Sequence, residues 1–303
     1  MTRRKGHVAT NINSMENENK SSILVPAGLL AVVLVVGSIF FAARAEPARQ
    51  RAATTEESGA VVMGHELPVR WGDLGVKLSS VGVIDAEALA ALYAERDGFS
   101  LEEKALLFGT DNGVLVMTKE NAPFVLNLLW AVGLGTRNEI LDKGPMADPR
   151  YGTAGNFAST AGWTLAQGGA MAHYSMHPFV VLTPEQQELV ERVAKTIYRP
   201  CCSNPVYFPD CNHGMAMLGL LEIAVSQGAD EETLYRAALA ANALWFPDTY
   251  RTIDEYLKRR GASLVAASPQ EILGANYSSA AGYRQILTEI EPPTPSGGGG
   301  CSV

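Results

Sequence analysis

Cysteine is scarce in this chain, and three of its four copies fall on one short stretch. Cys201, Cys202 and Cys211, with His213 just beyond them, place three sulfur donors and an imidazole on the segment from Tyr198 to Gly214. Three thiolates and one imidazole are the donor count of a closed tetrahedral zinc site. No Cys-x-x-Cys pair occurs, so the spacing fits neither a zinc finger nor a zinc ribbon. With Met215 and Met217 close by, the set suits Cu(I) or another thiophilic ion better, which makes Met215 a weak additional candidate.

Two other chemistries compete for the same sulfurs. Thiol–disulfide exchange needs a cysteine held as thiolate, and Cys211 is the best placed, because it should sit at the positive N-terminal end of an apolar helix. A disulfide that merely staples the loop is the bland reading, ordinary in an oxidising compartment. A bond between the neighbours Cys201 and Cys202 would close a strained ring, so one of them is expected to reach Cys211 instead. The fourth cysteine, Cys301, follows Gly297–Gly300 near the chain end, as a mobile thiol that delivers to the loop or pairs two protomers. Four cysteines allow three pairings, and spacing does not choose among them.

Outside that loop the chemical signals are weaker. His173 and His177 would share a face if their segment were helical and could then contribute ligands, although Pro178 would end such a helix at once. The zinc-protease pattern is not met, since Tyr174 follows His173. Glu222 is a lone charge in the apolar helix after His213; a wet helix face is its simplest explanation, and burial would demand a partner or a raised pKa. The chain has no haem-attachment motif, no Gly-x-Ser-x-Gly elbow and no phosphate-cradling loop. Asp111-Asn112-Gly113 lacks the oxygen ligands of a calcium loop. Tyr207-Phe208-Pro209-Asp210 and Trp245-Phe246-Pro247-Asp248 echo one another. Each is expected to pack a joint with its aromatic pair, start a helix at Pro and complement the dipole with Asp.

The elements that must carry these residues are mostly helices. Asp85 can cap one helix, Ser100 with Glu103 forms a capping box for the next, and Thr183-Pro184 with Gln186 opens a third, read as Glu185 to Tyr198. Pro209, Asp210 and Asn212 precede an almost wholly apolar helix holding Met215, Met217, Leu218, Leu221 and Val225, which should be buried. Asp230 begins another with Leu234, Ala238, Ala241 and Trp245 inward, and Ser268-Pro269 repeats the start signature. Residues Val61 to Val83 and Gly113 to Met117 allow one short N-terminal hairpin or two short strands. The Gly-rich stretch from Gly144 to Gly169 reads as an irregular loop. The expected fold is thus mainly α, a single helical domain over residues 61–291.

What flanks this domain sets its compartment. After a basic, polar segment at 1–22, residues Ile23 to Ala43 are uncharged and mostly apolar, and at about 1.5 Å per residue they cover about 30 Å of hydrocarbon. They read as a transmembrane signal-anchor at 23–43, or as a removable signal peptide cleaved after Ala45. Either way the domain is expected outside the cytoplasm, anchored or secreted. Residues 44–60 form a linker, and 292–303 a Pro/Gly tail ending near Cys301. Beyond Arg51 the chain carries 17 basic and 29 acidic side chains, a net charge of about −12, with no basic run or aromatic platform. Nucleic acid is therefore excluded as a partner. These features converge on a membrane-anchored extracytoplasmic protein that binds or transfers a soft or borderline metal, copper or zinc, and meets a metal or thiol donor protein. The alternatives are a thiol–disulfide oxidoreductase and a non-catalytic, disulfide-stapled structural or docking domain.

Overall fold

Strand β1, His65–Gly72, alternates as a half-buried strand should, turning Leu67, Val69 and Trp71 inward. The computed structural model describes residues 64–290. The segments read as anchor (23–43), linker (44–60) and Pro/Gly tail (292–303), with Cys301, lie outside the described residues. Among those described, no helix is long and apolar enough to cross a membrane.

Strand β2, Asn112–Met117, pairs antiparallel with β1, with His65 opposite Met117 and Gly72 opposite Asn112. The two do not form a hairpin. Helices α1 (Leu74–Ser80), α2 (Ala86–Ala94) and α3 (Leu101–Phe108) are inserted between them. Asp85 caps α2 by accepting from the amides of Glu87 and Ala88, and Ser100 with Glu103 closes the capping box of α3. Asn112 ties this insertion to the sheet, its side-chain amide donating to the carbonyls of Gly72, Ala105 and Gly109.

Helix α4, Ala122–Gly135, is buried almost all round, and a helix without a wet face shows no amphipathic period. The short α5 (Glu139–Lys143) follows, capped by Asn138. The Gly-rich stretch is irregular as read, built from single 3-10 turns and the one-turn α6 (Ala158–Ala161). The capping box of Thr183 and Gln186 starts α7, which ends at Ala194 rather than continuing to Tyr198, because the next residues turn away towards the cysteine loop.

Helix α8, Asn212–Ser226, is the apolar helix expected after that loop, and its residues from Asn212 to Val225 are all buried. It packs backbone to backbone on α4. A methyl on Gly133 would stand 2.1 Å from the Met215 carbonyl oxygen, and one on Gly219 would stand 2.4 Å from that of Leu129. Only glycine permits so close an approach at both sides of the crossing.

Around this pair lie α9 (Glu231–Trp245), capped by Asp230, and α10 (Pro247–Arg259), which starts at Pro247 as its tetrapeptide suggests. The start at Ser268 yields only the single turn α11 (Pro269–Ile272), and the chain closes with α12 (Ala275–Ser278) and α13 (Ala280–Glu289). All four tryptophans are buried, and each indole N–H donates to a carbonyl: Trp71 to Leu106, Trp130 to Ser159, Trp163 to Val83 and Trp245 to Ala122. Pairing the indole in this way avoids the cost of an unmatched buried donor.

Candidate metal centre

The cysteine loop runs from α7 to α8 and is held at several points along its backbone. Val206 N donates to Ile197 O at 2.8 Å, Tyr207 N to Ala194 O at 2.9 Å, and Ser159 N to Asp210 O at 3.1 Å. On the opposite side Tyr198 N donates to Leu273 O and Ala280 N to Cys202 O, so the C-terminal segment supports the loop from outside. A buried chain reinforces that support. Asn242 donates to Tyr198 O and to the Tyr250 hydroxyl, Tyr250 meets Ser278 at 2.6 Å, and Ser278 donates to Ile272 O.

Within this frame Cys202 N donates to Arg199 O at 3.3 Å, closing a turn over Arg199–Cys202. In an extended strand neighbouring side chains would diverge, whereas in this turn both vicinal thiols face Cys211. The Sγ of Cys201 lies 3.5 Å from that of Cys211, and the Sγ of Cys202 lies 4.0 Å from it. All three sulfurs fall within 4.8 Å of one another, so they form a cluster that can hold a metal ion. No disulfide joins them.

Cys211 is the N-cap of α8, as its placement ahead of the apolar helix suggested, but its side chain makes no capping bond and is left to the cluster. The decisive neighbour is Arg199, a residue the sequence pattern did not single out. It is 1% exposed. Its Nε donates to Cys211 Sγ at 3.3 Å, Nη1 to Asn204 O at 2.8 Å, and Nη2 to Phe208 O at 3.0 Å and Asp210 Oδ1 at 2.5 Å. Asn204 in turn donates to the second oxygen of Asp210 at 2.7 Å. Asp210 therefore does not serve the helix dipole as its echo Asp248 does. It pairs with the buried guanidinium, because an unpaired charge there would be costly. An arginine directly before Pro200-Cys201-Cys202 was the available signal for this role.

These contacts separate the thiols chemically. The Cys211 thiol is held well below its ordinary pKa, first by hydrogen bonds from Cys201 and Cys202 and then by the Arg199 charge, against the opposing effect of burial. Cys202, despite a favourable hydrogen bond from Cys201, is pushed up to about 11 by its contact with Cys211 and by burial. Arg199 is raised: burial opposes its charge, but the neighbouring Cys211 and Cys202 sulfurs and Asp210 more than offset this. The most acidic of the three thiols is thus the one hydrogen-bonded to the buried Arg199.

His213 is not in the cluster. Its ring is buried in α8, edge-on to Trp245 at 5.6 Å and against Phe246 at 4.4 Å between centroids. Met215 is fully buried in the same helix at the crossing with α4. Two residues along a helix point in different directions from its N-cap, which is why proximity in sequence did not bring His213 to the sulfurs.

His173 and His177 also stand apart from the cysteines, and their segment is not helical. A 3-10 turn at Ala170–Ala172 leads into a loop in which Ser175 takes a left-handed φ of 56°. Hydrogen bonds from Ser175 N to Leu134 O and from His177 N to Gly135 O lash this loop to the end of α4. His173 Nε2 faces Gln167 O at 2.9 Å, while its Nδ1 meets His177 Nε2 at 3.1 Å. Their ring planes lie 28° apart with centroids at 5.3 Å, so the two imidazoles are stacked as well as hydrogen-bonded. Burial and the neighbouring His173 lower the His177 pKa.

Glu222 overturns the expectation of a wet helix face. It is fully buried, Asn138 Nδ2 donates to its Oε1 at 2.6 Å, and its Oε2 has no partner. Burial drives its pKa well above the carboxylate range, with the Asn138 bond opposing weakly. The chain matches no protein-family model, no curated protein and no solved structure. What fold and site define is a mainly helical domain with a three-cysteine cluster able to hold a metal.

Proposed function

We propose that this protein captures or transfers a thiophilic metal ion, Cu(I) or Zn(II), through Cys201, Cys202 and Cys211. The reading is carried by the spacing of the sulfurs. Thiolates bound at about 2.3 Å in a tetrahedral site stand about 3.8 Å apart. Two of the three separations, 3.5 and 4.0 Å, bracket that value, and all three sulfurs lie within 4.8 Å of one another. Arg199 supports the same reading, because hydrogen bonds to a ligating thiolate orient it and offset the accumulated negative charge. The fourth position is left for solvent, for a ligand from a donor protein, or for Cys301. An open site suits transfer better than permanent storage.

The apolar run at 23–43 supports placing the domain outside the cytoplasm on a membrane anchor, where a metal donor or acceptor protein would meet it. Metal analysis of the full chain purified without chelator tests the reading. One equivalent of copper or zinc is expected, lost in Cys211→Ser while the far-ultraviolet circular dichroism is kept. A wild-type protein that takes up neither ion under reducing conditions refutes it.

A further inference from the structure

The same three sulfurs are unequal in a way that metal binding does not require. Cys211 alone touches the buried guanidinium, at 3.3 Å, and Cys201 Sγ already lies in van der Waals contact with it at 3.5 Å. A cysteine sulfur held against a fixed guanidinium N–H is placed for attack on a hydroperoxide, and a thiol in contact with it is what converts the product into a disulfide. We propose that Cys211 and Cys201 form a hydroperoxide-responsive pair, in which Cys211 is oxidised and Cys201 resolves it, dismantling the thiol cluster.

In the first step the Cys211 thiolate attacks the terminal oxygen of a hydroperoxide. The O–O bond breaks, the leaving alkoxide takes a proton from solvent to become an alcohol, and Cys211 becomes a sulfenic acid. In the second step the Cys201 sulfur attacks Cys211 Sγ, the S–O bond breaks, and water leaves carrying the Cys201 proton. Two thiols have given up two electrons, and the peroxide has been reduced to alcohol and water. The sulfurs must close from 3.5 Å to a bond of about 2.05 Å. That is a movement of about 1.5 Å, which the Arg199–Cys202 turn can supply through side-chain rotation. Cys202 is a poorer resolver, since its sulfur is farther from that of Cys211, at 4.0 Å.

Arg199 is the positioning residue. Its Nε–H fixes the Cys211 sulfur, and Asp210 with the carbonyls of Asn204 and Phe208 prevents the guanidinium from swinging away. Oxidation needs no metal. Its consequence for the cluster rests on the metal reading above, because a Cys201–Cys211 disulfide removes two of the three clustered sulfur ligands and leaves Cys202, too few to hold the ion.

The test uses the full chain stripped of metal and treated with hydrogen peroxide, followed by peptide mass spectrometry. Wild type is expected to lose two hydrogens and to yield a Cys201–Cys211 linked peptide. Cys201→Ser should stop at the first step and trap a dimedone adduct on Cys211. Arg199→Met should slow the reaction about tenfold or more and Arg199→Lys, which keeps the cation, should recover part of the rate, a rescue that loss of packing alone would not give. The proposal is overturned if wild type keeps all its thiols under these conditions, if the linked peptide joins other cysteines, or if Cys201→Ser gives no adduct. A parallel sample loaded with zinc separates the two readings: failure to load refutes metal binding alone, whereas loading without peroxide-driven release refutes the proposed consequence.

Discussion

Gly214 offers a sharp test of how Arg199 is held. A methyl group there would lie 2.6 Å from both Cζ and Nη2 of Arg199 and 2.8 Å from its Nε. The end of an arginine usually swings aside cheaply, but this one is fixed by Asn204, Phe208, Asp210 and Cys211. Making room means losing roughly two charge-assisted hydrogen bonds at about 1.5–3 kcal/mol each. Helix propensity acts in the opposite direction, and replacing glycine by alanine gains at most about 1 kcal/mol. The steric term wins by about 2–5 kcal/mol, which for a domain of this size lowers Tm on the order of 10 °C. Thermal unfolding of Gly214→Ala followed by circular dichroism, with the rate of Cys211 alkylation at neutral pH, reads both consequences. Unchanged or raised Tm together with undiminished Cys211 reactivity would refute the account of a clamped guanidinium.

Two further outcomes follow from the same contacts. In Arg199→Met the Cys211 thiol loses its cation and its Nε–H donor, so the midpoint of its alkylation rate against pH should move upward; a profile identical to wild type would contradict the assigned role. Burial keeps Glu222 protonated in the fold, so the unfolded chain releases that proton first, and the stability present below about pH 4.3 is progressively lost as pH rises towards the higher folded value. Glu222→Gln should remove this part of the pH dependence and be more stable than wild type near neutrality, as Tm measured across pH will show.

Much of the scaffold was legible locally. Capping needs only residues three apart, which is why Asp85, Ser100 with Glu103, Thr183 with Gln186 and Asp230 all marked true helix starts. The apolar run after Cys211 likewise announced a buried helix. Helix α4 escaped because a helix apolar on every side has no period to detect, and the two strands were found without their partner relation because three helices separate them in sequence. The start at Ser268 was over-read, since its side chain makes no capping bond and only one turn follows.

The site divides in the same way. Residue types and covalent spacing alone determined that Cys201, Cys202 and Cys211 would share one interhelical loop at the N-terminal end of α8, and that sulfur would be the donor there. Tertiary structure decided which donors meet. The turn at Arg199–Cys202 aims both vicinal thiols at Cys211, the helix carries His213 away to Trp245 and Phe246, and the close crossing of α4 and α8 buries Glu222. Arg199 acquires its importance only there, because a charge becomes powerful when burial removes the water that would screen it and the fold leaves a thiol within reach.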